Sequence, residues 1–163
     1  MRAMIVGCGR VGAGIAERLA RAGHDVTVID LQTEAFSRLE ADFSGTAIRG
    51  DGTDEDVLRR AGAEGVDLFY ALTEGDNRNI LAAQLAAETL HIASVVAKIN
   101  DPVRAEAYTA LGIATICRTR MLVDALAVHA GLPAQPDSQG VSDATGHDHG
   151  TAHEGATMTA TKA

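Results

Sequence analysis

Gly7, Gly9 and Gly12 stand at the spacing G-x-G-x-x-G in the stretch MRAMIVGCGRVGAGIAERLARAGHDVTVID. Between a strand and a helix, glycines at this spacing hold phosphate. Gly7 permits a tight turn out of the strand, Gly9 leaves the backbone bare so that a phosphate can approach, and Gly12 lets the helix pack closely on the sheet. The helix N-terminus adds unpaired N–H groups and a partial positive charge. Cys8, Arg10 and Val11 fill the other loop positions. Arg10 reads as a bidentate phosphate partner or as a solvated helix-start residue. Cys8 reads as a small, buried, reduced residue or as a thiol activated for redox chemistry by the helix N-terminus. Asp30 follows about twenty residues later, at the end of the apolar run VTVI, where it can accept from both hydroxyls of a ribose. Its charge repels a 2′-phosphate, which favours NAD or ATP over NADP.

Three further places carry candidate ligand residues. In IRGDGTDEDVLRRAG, Asp51 and Thr53 lie just past a third apolar run. Asp51 suits an adenine amino group; with Thr53 it also reads as a capping pair for the next helix. In YALTEGDNRNI, Thr73 ends a fourth run opposite the glycine loop, and Asp76 and Asn79 open the following helix. Asp76 is expected as an N-cap and as a ligand residue, two roles that can coexist. Lys98 ends a fifth run and is a second candidate cation.

The elements that must position these residues alternate along the chain. MRAMIV is a strand, and the helix after it runs from about Arg10 to Ala22, stopped by Gly23. DVTVI is the second strand. TEAFSRLEADF is expected as a helix with Thr33 as cap and Phe36, Leu39 and Phe43 on one face. GTAIRG is the third strand, and TDEDVLRRAG a short helix capped by Thr53. VDLFYAL, ASVVAKI and IATIC are further strands. The helices DNRNILAAQLAAETL and DPVRAEAYTALG separate them, the latter with Asp101 as cap and Pro102 at its first position; TRMLVDALAVHAG is the last helix. This pattern predicts an α/β fold: a doubly wound, six-stranded parallel sheet, Rossmann-like, in the order 3-2-1-4-5-6, with a nucleotide across the carboxyl ends of strands one and four.

Composition sets the limits. The chain has 163 residues, 46% hydrophobic and 22% charged, enough for one domain with its own core. A net charge of −8 and an aromatic content of 3% exclude a nucleic-acid partner, which needs basic surface and stacking platforms. Two cysteines make no disulfide framework, and no leader or membrane-spanning run is evident, so a cytoplasmic protein is expected. Residues 1–132 read as the nucleotide-binding domain. Residues 133–163 are rich in Gly, Ser, Thr, Ala and Asp, and are expected to form a disordered tail. The tail's His147, His149 and His153, beside Asp148 and Glu154, have metal-ligand chemistry but no expected fixed geometry, so no metal site is assigned.

The segments VGCGRVG, VID, GDGTDEDVLRRAG, YALTEGDNRNILAAQLA, VVAKINDP and LGIATIC together resemble, in order and spacing, the Trk/Ktr-type potassium-uptake regulators. The likeness covers roughly residues 1–132, their nucleotide-binding RCK N-terminal, or TrkA-N, domain. It implies a cytosolic protein that binds NAD(H) or ATP/ADP and sits beneath a membrane cation transporter as a homodimer or ring. Gly7, Gly9, Arg10 and Gly12 would hold phosphates, Asp30 the ribose and Asp51 the adenine side. Thr73, Asp76 and Asn79 would line the opposite wall, and Lys98 stands where the family places an Arg or Lys. Many such regulators continue into a second, ligand-sensing lobe, where this chain runs into its low-complexity tail; a sibling regulator subunit would supply that part.

The reading is therefore a non-enzymatic regulatory subunit whose conformation follows its nucleotide. The alternatives are a small NAD-dependent oxidoreductase and a free-standing nucleotide sensor. An oxidoreductase needs a substrate site and a proton donor beside the nicotinamide, and neither is evident. DNRNILAAQLAAETL and MLVDALAVHAGL are apolar beyond a single stripe, which predicts association through the late helices.

Overall fold

Short runs rich in β-branched and small apolar residues form six strands in the computed structural model, which describes residues 1–133 and 141–142. They are β1 (Arg2–Val6), β2 (Asp25–Asp30), β3 (Thr46–Arg49), β4 (Leu68–Ala71), β5 (Ser94–Lys98) and β6 (Ala114–Ile116). All pair in parallel, in the order β3-β2-β1-β4-β5-β6. Side chains alternate across a strand, so β1 feeds two cores. Met4 and Val6 join the larger, with Phe69, Leu58 and Ile80, while Ile5 joins Ala13, Ala16, Val26 and Val28 on the other face. Burial on both faces explains why these strands read as near-continuous apolar runs.

The helices are α1 (Arg10–Arg21), α2 (Glu55–Arg60), α3 (Asp76–Gln84), α4 (Pro102–Ala110) and α5 (Arg118–His129). Asp101 caps α4 as expected, its carboxylate accepting from the N–H groups of Val103 and Arg104. α2 is capped by Asp54 rather than Thr53. Asp54 accepts from Asp56 and Val57, because Thr53 is turned back onto Asp51. The expected helix at TEAFSRLEADF is a short 3-10 helix, Thr33–Arg38, with Gln32 rather than Thr33 at its cap. Within it Ser37 donates its hydroxyl to the Glu34 carbonyl, and Leu39 is already extended. Phe36, Leu39 and Phe43 still pack on the smaller core. α3 widens into one π-helical turn, Leu85–Thr89.

No helix among the described residues is long and apolar enough to cross a membrane. Part of the expected tail is described: Ser142 forms an antiparallel bridge with Thr115 of β6. His147, His149 and His153 lie outside the described residues.

Candidate functional site

The chain leaves β1 through a turn that glycine alone suits. Gly7 has φ +104°, and a Cβ there would stand 2.8 Å from the Thr73 nitrogen. A Cβ on Gly12 would lie 1.8 Å from the Gly7 carbonyl oxygen, so this glycine lets α1 begin directly against the turn. Gly9 is the N-cap of α1, no side chain caps that end, and a Cβ there would meet nothing within 4 Å. The first turn of α1 therefore presents its N–H groups beside open space.

Pairing of β1 with β2 brings Asp30 to this loop. Its Oδ2 accepts from the Cys8 N–H at 2.7 Å and its Oδ1 from the Gln32 N–H at 2.9 Å. Each carboxylate oxygen keeps a second lone pair. Cys8 itself is fully buried, and burial, followed by the Asp30 charge, pushes its thiol up to about 11. The expectation of a thiol activated by the helix N-terminus is thus reversed: desolvation outweighs the dipole.

These residues floor a cleft of about 440 Å³. Gly7, Cys8, Gly9, Leu72 and Thr73 form the floor, with Asp30, Gln32, Glu34, Ala35 and Arg38 on one side and Gly50, Asp51, Gly52, Thr53 and Arg78 on the other. Gly52 lies against the end of β1, where a Cβ would fall 2.2 Å from Cγ1 of Val6. Asp51 Oδ1 accepts from both the N–H and the hydroxyl of Thr53, at 3.0 and 2.7 Å. Those bonds, helped by the Arg78 charge, hold the Asp51 carboxyl below its ordinary range. Asp51 keeps its other oxygen outside this turn.

The other expected residues have different surroundings. Asn79 is fully buried. Its Oδ1 accepts from the Thr73 N–H and hydroxyl, and its Nδ2 donates to the carbonyls of Thr73 and Lys98. It fixes Thr73 at the cleft without lining the cleft itself. Asp76 is not the cap of α3, a position held by Gly75. Its carboxylate instead accepts from the N–H and side-chain amide of Asn100 and from the Asp101 N–H, tying α3 to the loop after β5. Lys98 is buried, which pushes its ammonium down; Arg118 adds to this, while Glu74 and Asp76 oppose it. Arg10 and Val11 are exposed on the first turn of α1, and with Gly12, Asp76, Asn79 and Lys98 they stand outside the cleft lining.

Sequence reasoning missed the two cleft cations, Arg38 and Arg78. Arg38 ends the 3-10 helix, and Arg78 sits in the first turn of α3, between this cleft and a more open neighbour that includes Asn100 and Arg104. The available signal was a cation a few residues past each of two strand ends. Among the described residues, no group of three or more His, Cys, Asp or Glu side chains is placed to hold a metal.

Comparison with known proteins follows the same outline. A Trk system potassium uptake protein TrkA from Streptomyces coelicolor is 45% identical over 124 residues, covering 76% of this chain and 56% of that protein. The chain spans about half the length of the curated relatives it matches most strongly. In structure it is similar to Shewanella denitrificans Kef CTD in its AMP-bound form (TM-score 0.68, 22% identity, 80% of this chain and 79% of that one). It is also similar to the GsuK channel bound to NAD (TM-score 0.61, 18% identity, 76% of this chain and 22% of that one). At these identities the likeness is one of fold. Residues 3–119 match the family model of the TrkA-N domain. The chain belongs to the TrkA-N domain family.

Proposed function

We propose that this chain binds an adenine nucleotide, NAD(H) or ATP/ADP, in the cleft above β1 and acts as a nucleotide-responsive regulatory subunit of a membrane potassium-uptake system. The observation that carries this reading is the Asp30 carboxylate, held by two backbone N–H groups beside an uncapped helix N-terminus. Asp30 takes the ribose diol, and the first-turn N–H groups of α1 take phosphate, with the Arg10 side chain close by. Asp51 accepts from the adenine amino group, while Arg38 and Arg78 supply the positive charge that Asp30, Glu34, Asp51 and Glu74 would otherwise deny an anion.

Several observations favour regulation over catalysis. The cleft lining contains no His, Lys or Tyr, and its one thiol is held protonated to about 11. A hydride-transfer site ordinarily places a proton donor beside the nicotinamide. The curated relatives are named as potassium-uptake proteins, and the solved structures of like fold hold AMP or NAD. The partner is then a membrane cation transporter, and the chain works beneath it as a homodimer or ring, in contact with further copies through α5.

Calorimetry with NADH, ATP and ADP tests the reading. Asp30→Ala should weaken the preferred nucleotide by about 1–3 kcal/mol, the loss of a charge-assisted pair. Unchanged affinity in a variant that still melts cooperatively would overturn the ribose assignment. Mass spectrometry of ligand released from freshly purified protein distinguishes NAD(H) from ATP/ADP.

A further inference from the structure

An open sheet has two edges, and here they are treated differently. β3 forms one edge, and among the described residues no strand pairs with its outer side. β6 forms the other edge, only three residues long. Backbone groups of successive strand residues point to alternate sides. The Ile116 carbonyl faces inward and accepts from the Ile99 N–H at 3.0 Å. The alternation leaves Thr115 as the residue of β6 whose N–H and carbonyl both face outward. Both are taken by Ser142: the Thr115 N–H donates to the Ser142 carbonyl at 2.9 Å, and the Ser142 N–H to the Thr115 carbonyl at 2.8 Å. One residue from beyond the last helix thus satisfies the whole outward edge of the strand.

The anchor for this contact is rigid. Thr115 is buried, its ladder partner is Ala97, and its hydroxyl lies 2.7 Å from that of Thr109 on α4. An unpaired edge is a template for a strand from another chain, and a short segment laid along it removes the template. We propose that residues 141–142 are an intramolecular strap that closes the β6 edge of the sheet and blocks strand addition there by a second copy of the chain. The strap uses backbone groups alone, so it tolerates any residue at 142 that keeps its N–H. It is independent of the nucleotide cleft.

Hydrogen exchange read at single-residue resolution tests this on the full chain. In the wild-type protein the Ser142 amide should be protected together with that of Thr115, and the protection should not change on dilution. A Ser142 amide exchanging at the rate of a free peptide would overturn the proposal. Protection of either amide that falls away on dilution would also overturn it, because the covering segment would then belong to another copy. Ser142→Pro removes the donated N–H and should speed Thr115 exchange by roughly tenfold or more, leaving Ile5 and Ala97 unchanged. Ser142→Ala should keep the protection. Thr115 exchange that is equal in the proline variant and the wild type, with the sheet intact, would sink the strap.

Discussion

α1 and α5 are both twelve-residue helices that follow a strand, and neither has a side-chain cap. They are covered very differently. α1 buries Gly12, Ala13 and Ala16 and packs Ile15 and Leu19 on the smaller core, while its outer face carries Arg10, Glu17, Arg18 and Arg21. α5 buries only Asp124, and Met121, Leu122, Val123, Leu126 and Val128 remain exposed. α1 segregates its apolar residues at helical spacing because one sheet face covers them. α5 spreads them around its girth, and the sheet covers almost none. Each square ångström of such surface removed from water returns about 25 cal/mol, so a second surface over α5 would be stabilising. The contrast separates a helix completed by its own domain from one that another copy completes in the proposed assembly.

The largest test acts on the completed side. Gly12→Val forces side-chain atoms into the Gly7 carbonyl and should cost more than about 3 kcal/mol. Thermal melting should show gross destabilisation together with loss of nucleotide binding; a near-wild-type melt would mean that α1 can shift off the turn. A smaller effect on stability is expected on the open side. Leu122→Glu with Leu126→Glu should change the stability of the fold by no more than about 0.5 kcal/mol per site, since both residues are exposed. Light scattering should show the mass of the assembly falling. A wild-type protein that stays monomeric at micromolar concentration with nucleotide present would remove the assembly role of α5.

The smallest effect concerns Cys8. Its thiol is raised from 9.0 to about 11 in the folded chain. The folded state therefore holds the proton where the unfolded chain releases it. This contribution to stability is complete below pH 9 and is lost as pH rises through 11. Melting temperature should fall more steeply over that window in the wild type than in Cys8→Ala. Native Cys8 should also resist alkylation at pH 8. Rapid labelling there would show that the loop opens.

How much of this was legible in the sequence depended on the distance over which each feature is decided. The glycine turn, the Asp101 cap with Pro102 and the sheet order rest on residues near one another or on the handedness of strand–helix–strand units. They appear where the sequence places them. Competition between neighbours misplaced other features: Thr53 is a good cap by type, but its hydroxyl goes to Asp51 and Asp54 takes the cap. Asp76 and Asn79 read as ligand residues because they open a helix at the crest of the sheet. Their hydrogen bonds run to Asn100, Asp101, Thr73 and Lys98, partners that only the pairing of β4 with β5 brings near.

By itself the sequence determined that a parallel sheet would form and where a phosphate loop would lie, because apolar periodicity and glycine geometry are local properties. Tertiary structure decided which side chains face the cleft. Arg38 and Arg78 meet Asp30 and Asp51 there because β1 lies between β2 and β4. It also buried Cys8 deeply enough to reverse the expected direction of its acidity, and it left the apolar residues of α5 exposed. Both outcomes depend on how much of a residue's surroundings the rest of the chain fills, and that is set by packing between segments distant in sequence.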